Sequence, residues 1–309
     1  MNEFLDKITG VDRITPEAVR HLVEALEWDS AGERGSHWVP LSTYLTFAMP
    51  AYRERGAALV DGMHPPFPYR KATQRRSRAL AVSVGVVAGV PMQCGDRISS
   101  EWRLIGDQTV STRVGDGSLL DFEVGFFNPN GDRVATELTK VLSFEPTVSP
   151  VPVRRDQLAP KSQIETNAPD FDVSAPAAGQ LLQGFTLPLT LQRLAMIVAA
   201  NRDFAPIHYD PAAAAEIGAP VPVANSMVLL SFLERLLIDH GGPTASVRQL
   251  GPLRLKAPAV ANGLLQCRGE VSRVVREGAS LDVWVDATIT VDDAVVAQGP
   301  GVMSIPGET

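Results

Sequence analysis

The sequence has few aromatic residues and less basic than acidic charge. Aromatic residues make up 6% of its 309 residues, and 28 Lys and Arg stand against 35 Asp and Glu, a net charge of −7. An acidic surface argues against general binding to nucleic acid or anionic membrane. The Trp and Tyr residues are scattered and form no stacking array for bases. We therefore expect no nucleic-acid partner, although the net charge does not exclude a local basic pocket for a phosphate-bearing ligand.

Cysteine and long apolar runs are also scarce. Neither Cys94 nor Cys267 has a Cys or His nearby at metal-ligand spacing, so we expect two buried reduced thiols and no metal site. No apolar stretch is long enough to span a bilayer, and the segment 1–7 lacks the features of a signal peptide. A hydrophobic content of 45% is typical of a globular protein. We expect a cytoplasmic protein without a membrane partner.

One short segment carries the chemistry that the sequence offers. Asp203 and His208 lie five residues apart, and Pro206 stands between them. Proline fixes its own φ and pushes the residue before it toward an extended conformation, so a helix cannot continue through the segment. Both side chains should then project from a bent loop, where a carboxylate and an imidazole suit acid–base catalysis. The plain alternative is a loop with a capping aspartate and a surface histidine.

This segment resembles the signature of the MaoC-like (R)-specific enoyl-CoA hydratases. Asp203, Pro206, Ile207 and His208 fit that signature, and Ala205 stands where the family usually has asparagine. The resemblance implies reversible hydration of a trans-2-enoyl thioester, or dehydration of a (R)-3-hydroxyacyl thioester. It implies that Asp203 and His208 share the reacting water and that no cofactor is needed.

The two halves of the chain repeat one plan. The segment 120–124 aligns with 281–285, and at the same offset 141–144 aligns with 302–305. Between the halves, prolines recur with little hydrophobic periodicity, which is typical of a linker. We predict an N-terminal non-catalytic domain over 1–148, a linker over 149–184 and a C-terminal catalytic domain over 185–309.

In the second half, turn signals divide helices from strands. Thr190 should cap one helix, Asp210 and Pro211 should open another, and Gly241-Gly242 should end a helix that begins near Asn225 or Ser226. This last helix is apolar on nearly all sides, which indicates burial. Strands are predicted at about 246–255, 263–276, 280–291 and 295–305.

A buried helix wrapped by a curved antiparallel sheet is the hot-dog fold, which MaoC-like proteins share. The resemblance thus implies an α+β double hot-dog protein, with a dehydratase-like first half. In that half, Leu41–Arg55 is the predicted wrapped helix, although Pro50 would lie inside it.

The resemblance also implies where the thioester binds. Backbone N–H groups at a helix N-terminus suit a developing oxyanion, and the family places them at the start of the buried helix, here Asn225, Ser226 and Met227. The family commonly reads His-Gly where this chain has Asn225-Ser226. The plain alternative for Asn225-Ser226 is an ordinary N-cap, and both interpretations can hold together.

The substrate partner implied is an acyl-CoA or acyl-carrier-protein thioester, whose phosphates could meet basic side chains. The densest basic cluster, and a second pair, supply the candidates: Arg70, Lys71, Arg75, Arg76 and Arg78, then Arg254 and Lys256. A solvated basic surface explains the cluster as well. Two other functions stay open, an acyl thioesterase and a non-catalytic acyl-thioester binder, and so does the choice between monomer and homodimer.

Overall fold

The computed structural model describes residues 3–10, 12–35, 37–48, 78–112, 115–145, 172–216 and 218–307. The strands are β1 (Glu3–Thr9), β2 (Arg78–Ala88), β3 (Ser99–Thr112), β4 (Gly115–Phe127), β5 (Arg133–Phe144), β6 (Leu181–Leu189), β7 (Ser246–Leu255), β8 (Gly263–Glu277), β9 (Ser280–Val291) and β10 (Ala294–Pro306). The helices are α1 (Pro16–Ala25), α2 (Tyr44–Phe47), α3 (Leu191–Asn201), α4 (Pro211–Glu216) and α5 (Ser226–Gly241), with 3₁₀ turns at Asp29–Arg34, Leu41–Thr43 and Pro206–His208.

The sheet repeats the same strand order in the two halves. Its order is β1-β3-β4-β5-β2-β7-β10-β9-β8-β6, so the first half (β1–β5) and the second half (β6–β10) mirror each other about the β2–β7 seam. All neighbouring strands are antiparallel, including β2 and β7. The two predicted sheets are therefore joined edge to edge into one, and the expected α+β double hot-dog fold is confirmed.

The helix α5 packs across the sheet of the second half. Asn225 caps its first turn through a 3.0 Å hydrogen bond from the Val228 N–H to Asn225 Oδ1. Most of its side chains are buried, including the charged Glu234. It contacts all five strands of its own half and also β2. The prediction of a buried helix from Asn225 or Ser226 to His240 is confirmed within one residue.

The predicted repeat holds for one pair of strands and is wrong for the other. Val124 in β4 pairs with Glu137 in β5, and the equivalent Val285 in β9 pairs with Gly301 in β10. The offset of 161 residues thus aligns β4 with β9, whereas β5 aligns with β10 at 164. The prediction failed because the hairpin of the second half is three residues longer, which a constant sequence offset cannot represent.

The first half differs most at its helix. The predicted helix Leu41–Arg55 is represented by the 3₁₀ turn Leu41–Thr43 and α2, and 49–55 lie outside the described residues. Towards the second half, β6 begins at Leu181, inside the segment predicted as linker. The boundaries 1–148, 149–184 and 185–309 remain a prediction.

A close approach of backbones marks the β2–β7 seam. Pro252 lies in β7, and the pairing register shifts beside it on both neighbouring strands, since proline has no N–H for the ladder. A Cβ on Gly85 would lie 2.8 Å from the Pro252 Cα, and a Cβ on Gly299 would lie 2.3 Å from the Pro252 carbonyl O. Glycine is therefore required on both sides of Pro252.

Polar contacts also join the helices of the two halves. Glu234 of α5 accepts hydrogen bonds from the N–H groups of Leu41 at 2.7 Å and Ser42 at 2.8 Å. The Trp28 indole donates to Asp239 at 3.1 Å. A carboxylate of the second half thus caps the first turn of the helical segment in the first half.

The cysteine prediction is only half right. Cys267 is buried, but Cys94 is partly exposed, and neither of them is in a disulfide. Burial raises the pKa of both thiols, and nearby Glu17 and Asp96 add to the shift at Cys94. Within the described part of the chain, no helix is long and apolar enough to cross a membrane.

Candidate functional site

The end of α3 determines the position of the loop that carries Asp203. The Thr190 hydroxyl caps the start of this helix, as predicted, by accepting from the Arg193 N–H at 3.0 Å. The helix ends at Asn201, and the next residue, Arg202, has a φ of 62°, which lies in the left-handed region. The Asp203 N–H then donates to Asn201 Oδ1 at 3.1 Å. This turn directs the chain away from the helix axis immediately before Asp203.

The loop that carries His208 is a single 3₁₀ turn. Ala205 is extended, as expected of a residue before proline. The turn Pro206–His208 follows, and the His208 N–H donates to the Ala205 carbonyl at 3.0 Å. Asp210 then caps α4 by accepting from the Ala212 N–H at 2.8 Å. Pro206 and the Asp210 cap therefore fix the backbone on both sides of His208.

The two predicted catalytic side chains meet. His208 Nε2 lies 3.4 Å from Asp203 Oδ2, and the side chains are 8% and 19% exposed. The other ring nitrogen, His208 Nδ1, lies 2.7 Å from the carbonyl O of Val223. A carbonyl only accepts, so Nδ1 must carry a proton. In the neutral ring Nε2 therefore holds the lone pair and faces the carboxylate.

This pairing tunes the histidine. Burial disfavours the charged ring and lowers the pKa of His208, but the charge of Asp203, the hydrogen bond to it and the Val223 carbonyl raise the pKa above its ordinary value of 6.5. The opposing effects leave a group that titrates above that value. Such a group can both take up and release a proton near neutral pH.

The segment that orients His208 also leads into α5. The Val223 N–H donates to the Ile207 carbonyl at 3.1 Å, and the Ala224 N–H donates to the Ala259 carbonyl at 2.8 Å. Val223 and Val260 form an isolated β-bridge. Asn225 follows Val223, whose carbonyl orients His208, by two residues. This contact brings the N-terminus of α5 close to the Asp203–His208 pair.

The start of α5 offers donors in a dry setting. The first N–H groups of a helix have no acceptor within it, and Asn225 Oδ1 takes up only that of Val228. Asn225 and Met227 are buried, and Ser226 is half-buried. The Asn225 Nδ2 atom is itself buried without a hydrogen-bond partner. The predicted donors are the N–H groups of Ser226 and Met227, together with this amide, and their part in binding a thioester oxygen remains a prediction.

Of the predicted phosphate-binding residues, the structure describes the side chains of Arg254 and Lys256. Arg70, Lys71, Arg75 and Arg76 lie outside the described residues, as does the side chain of Arg78. Arg254 is exposed on β7, on the opposite face to the buried Leu253. Lys256 is exposed beyond the end of β7 and donates to Gln298 Oε1. Their part in phosphate binding remains a prediction.

Two groups at the site escaped the sequence reasoning. Asn201 shapes the turn before Asp203, is buried and keeps its Nδ2 without a partner; an Asn two residues before an Asp is a recognisable local turn signal. The carbonyl of Val223 orients His208, but a backbone group leaves no sequence signal. Among the described residues, no three His, Cys, Asp or Glu side chains are grouped in a way that could hold a metal ion.

The comparisons with known proteins agree with this fold. Residues 175–291 match the family model described as MaoC like domain. A solved MaoC-like dehydratase superposes with a TM-score of 0.67 at 18% identity, covering 99% of this chain and 98% of the other. A comparison with curated proteins gives no match.

Two further structures are similar along nearly their whole length. A putative MaoC domain protein dehydratase from Chloroflexus aurantiacus J-10-fl has a TM-score of 0.65 at 13% identity, with 99% and 96% of the chains covered. A MaoC-like dehydratase from Phytophthora capsici has a TM-score of 0.58 at 14% identity, with 98% and 96% covered. These superpositions show a shared fold over both halves.

Proposed function

Because residues 175–291 match the model of a MaoC-like domain, we propose that the protein hydrates trans-2-enoyl thioesters, or dehydrates (R)-3-hydroxyacyl thioesters, through Asp203 and His208. The observation that carries the proposal is the geometry of this pair. A buried imidazole faces a carboxylate at 3.4 Å, and a backbone carbonyl fixes which nitrogen does so. Two groups in this arrangement can hold one water between them.

The pair moves protons in a balanced cycle. In hydration the water oxygen forms a bond to the β-carbon while one water proton passes to the Asp203–His208 pair. The pair returns a proton to the α-carbon, so that the product gains one water and the enzyme is unchanged. Both transfers take place on one face, which suits a single stereochemical outcome. The two groups titrate as a coupled unit, so the cycle is assigned to the pair.

The thioester oxygen gains negative charge as the β-carbon is attacked. We assign its stabilisation to the N–H groups of Ser226 and Met227 at the start of α5, aided by the helix dipole. Burial strengthens these hydrogen bonds, because little water competes for the oxyanion. Ser226 stands where the MaoC-like family commonly has glycine. Its side chain narrows the space through which the thioester approaches the backbone.

The carrier of the acyl group is CoA or an acyl carrier protein, both of which bear phosphates. Arg254 and Lys256 are exposed cations near the end of β7 and are the described residues proposed to meet those phosphates. We propose a cytoplasmic protein that needs no cofactor, acting as a monomer with one active site or as a homodimer of such chains.

The experiment follows loss of the conjugated enoyl-thioester absorbance with purified protein and a series of trans-2-enoyl-CoA substrates. Replacing one member of the pair, in Asp203→Asn or His208→Ala, is expected to lower kcat by about 10²–10⁴-fold, the usual contribution of positioned acid–base groups. Asp107→Asn and His21→Ala serve as matched controls, because both side chains are exposed. The controls should keep wild-type rates.

Three outcomes would contradict the proposal. Release of free thiol instead of loss of the enoyl absorbance would identify a thioesterase. Binding of the thioester without turnover of any chain length would identify a non-catalytic binder. Full activity in His208→Ala would exclude the pair as the catalytic unit.

A further inference from the structure

Two long charged side chains occupy backbone positions that disfavour them. Among the described residues other than glycine, five have a positive φ. Three of these are Asn262, Asp292 and Asp293, residue types that enter the left-handed region more readily than others. The other two are Glu27, with a φ of 50°, and Arg202, with a φ of 62°. Because neither residue type favours this region, contacts elsewhere must hold the backbone there.

These two residues follow equivalent helices that pack on each other across the halves. Each helix, α1 or α3, follows the edge strand of its half and begins with a threonine hydroxyl that caps its first turn. Glu27 lies two residues after α1, Arg202 lies one residue after α3, and α1 packs against α3. The helix of the second half thus ends in an unfavourable conformation immediately before Asp203.

Each of the two residues forms an ion pair with the other half of the chain. Glu27 contacts Arg193, which lies in the first turn of α3. Arg202 contacts Asp12, which precedes the capping residue of α1 by three positions. The two arginine side chains are each 15% exposed, so water competes less for their guanidinium groups than in a fully exposed pair. The two ion pairs therefore join the halves at both ends of α3.

The segment that carries Asp12 is fixed to the first half. The Gly10 N–H donates to the Ile98 carbonyl at 2.8 Å, and the Ile14 N–H donates to the Asp96 carbonyl at 2.8 Å. The Ile14 side chain is buried in the core. These contacts hold the backbone on both sides of Asp12 against the segment that leads into β3. Asp12 is therefore a fixed partner for Arg202, although its own side chain is exposed.

The position of the proposed acid depends on the backbone at Arg202. Asn201 Oδ1 accepts the Asp203 N–H across this residue at 3.1 Å, so the φ of Arg202 sets the direction in which Asp203 leaves the helix. Asp203 Oδ2 lies 3.4 Å from His208 Nε2, which is already long for a hydrogen bond. A small further movement of the carboxylate would separate the pair. A contact that holds Arg202 in the left-handed region therefore holds Asp203 beside His208.

We propose that Asp12 and Arg202 are positioning residues of the active site, through which the first half holds the Asp203 loop of the second half in its reactive conformation. Arg202 acts through its backbone, and Asp12 acts through Arg202. The inference rests on the proposed function, since the conformation that is held is that of the proposed acid–base pair. It gives the half predicted to be non-catalytic a defined part in catalysis.

The first test separates positioning from a general contribution to stability. Asp12→Asn should lower kcat about 10-fold, since a displacement of about 1 Å can cost about 10²-fold. KM should stay unchanged, because the donors proposed for the thioester are untouched. Glu27→Gln is the matched control, since it breaks the equivalent ion pair at the end of α3 that is remote from Asp203, and it should keep the wild-type kcat. Equal losses of kcat in the two variants would overturn the proposal.

A second pair of variants tests the backbone as the point of action. Arg202→Ala and Arg202→Gly both remove the guanidinium group, but only glycine enters the left-handed region without steric cost. Arg202→Ala should lower kcat about 10-fold, like Asp12→Asn. Arg202→Gly should recover most of this loss and should make kcat insensitive to Asp12→Asn. Equal kcat in Arg202→Ala and Arg202→Gly would overturn the proposal.

A measurement without substrate separates this inference from the proposed function. NMR titration of the His208 imidazole reports whether the Asp203 carboxylate lies beside it, even in a protein that hydrates no thioester. Asp12→Asn should lower the pKa of His208 toward its value in Asp203→Asn, and Glu27→Gln should leave it unchanged. The shift should be absent when Asp12→Asn is combined with Arg202→Gly, which excludes a direct effect of the lost charge. An unchanged pKa in Asp12→Asn would overturn the positioning even in an active enzyme.

Discussion

At the scale of single residues, the proposed chemistry depends on the balance that sets the charge of His208. Burial opposes protonation, while Asp203 and the Val223 carbonyl favour it, and the net pKa is raised. In hydration the Asp203–His208 pair takes up a proton from the water, so it must not already carry that proton in the free enzyme. The acid limb of kcat/KM should therefore lie above pH 6.5, and activity should fall as pH decreases through the raised pKa.

Removing the charge of Asp203 should reverse the shift. In Asp203→Asn the burial of His208 remains while its strongest favourable partner is lost, so the pKa of His208 should fall. NMR titration of the imidazole signal measures this directly, even in an inactive variant. The exposed Asp107→Asn is the control. An unchanged pKa in Asp203→Asn would mean that the pair does not interact in solution.

Glu137 should make stability depend on pH in a defined window. Its pKa is raised from 4.5 to about 7 by burial, so the folded state favours the protonated form. Stability is then greatest below 4.5 and is lost as pH rises from there to about 7, by about 3 kcal/mol at 1.36 kcal/mol per pKa unit. The described ionisable group that faces it is Tyr44, which stays protonated throughout this range.

Urea unfolding at about pH 5 and about pH 8 measures this dependence. Glu137→Gln should reduce the difference in the free energy of unfolding between the two pH values by about 3 kcal/mol. Glu277→Gln, at an exposed position, should leave the difference unchanged. If Glu137→Gln also left it unchanged, the carboxyl would not be the titrating group.

At the scale of helices and strands, the second half could be predicted because its sequence carries explicit stop and start signals. Thr190, Asp210 and Asn225 each accept the capping hydrogen bond that their residue type predicts, and Asp292-Asp293 form a turn with positive φ at both residues. These signals act within a few residues. A sequence therefore reveals them without knowledge of the fold.

The features that escaped prediction depend on contacts between distant segments. The shift of three residues between the β4–β5 and β9–β10 hairpins follows from strand pairing. The short helical segment before Ala48 is held by Glu234, nearly 200 residues away in the chain. Asp203 and His208 could be found from their spacing. The carbonyl that selects the reactive nitrogen of His208 could not.

The seam between β2 and β7 should be sensitive to a single methyl group. Gly85→Ala would place a Cβ 2.8 Å from the Pro252 Cα, a backbone atom that cannot move alone. We expect a loss of about 1–3 kcal/mol in the free energy of unfolding, as in overpacked interiors. Gly106→Ala is the matched control, since its nearest neighbours are side-chain atoms of Asp121. Equal losses in the two variants would contradict the seam as the cause.

At the scale of the whole molecule, the two halves should unfold as one unit. They share a continuous sheet, and Glu234 binds the backbone of the first half. Glu234→Gln keeps one acceptor oxygen and leaves one buried N–H unpaired, which should cost about 1–3 kcal/mol. Hydrogen exchange along a urea series would follow both halves, whose transitions should coincide. Separate transitions, or a loss equally large in the exposed Glu270→Gln, would contradict this coupling.

The mirrored strand order of the two halves also has a consequence for how each half can mutate. In a homodimer of identical hot-dog chains, each mutation appears in both subunits. A substitution that improves one subunit and destabilises the other therefore cannot be made in one subunit alone. A glutamate at the Gly301 position would collide with Leu233 and Leu237, whereas at Glu137 it is accommodated. Carrying both halves on one gene removes that tie, and each half has become free to change at this position without its counterpart.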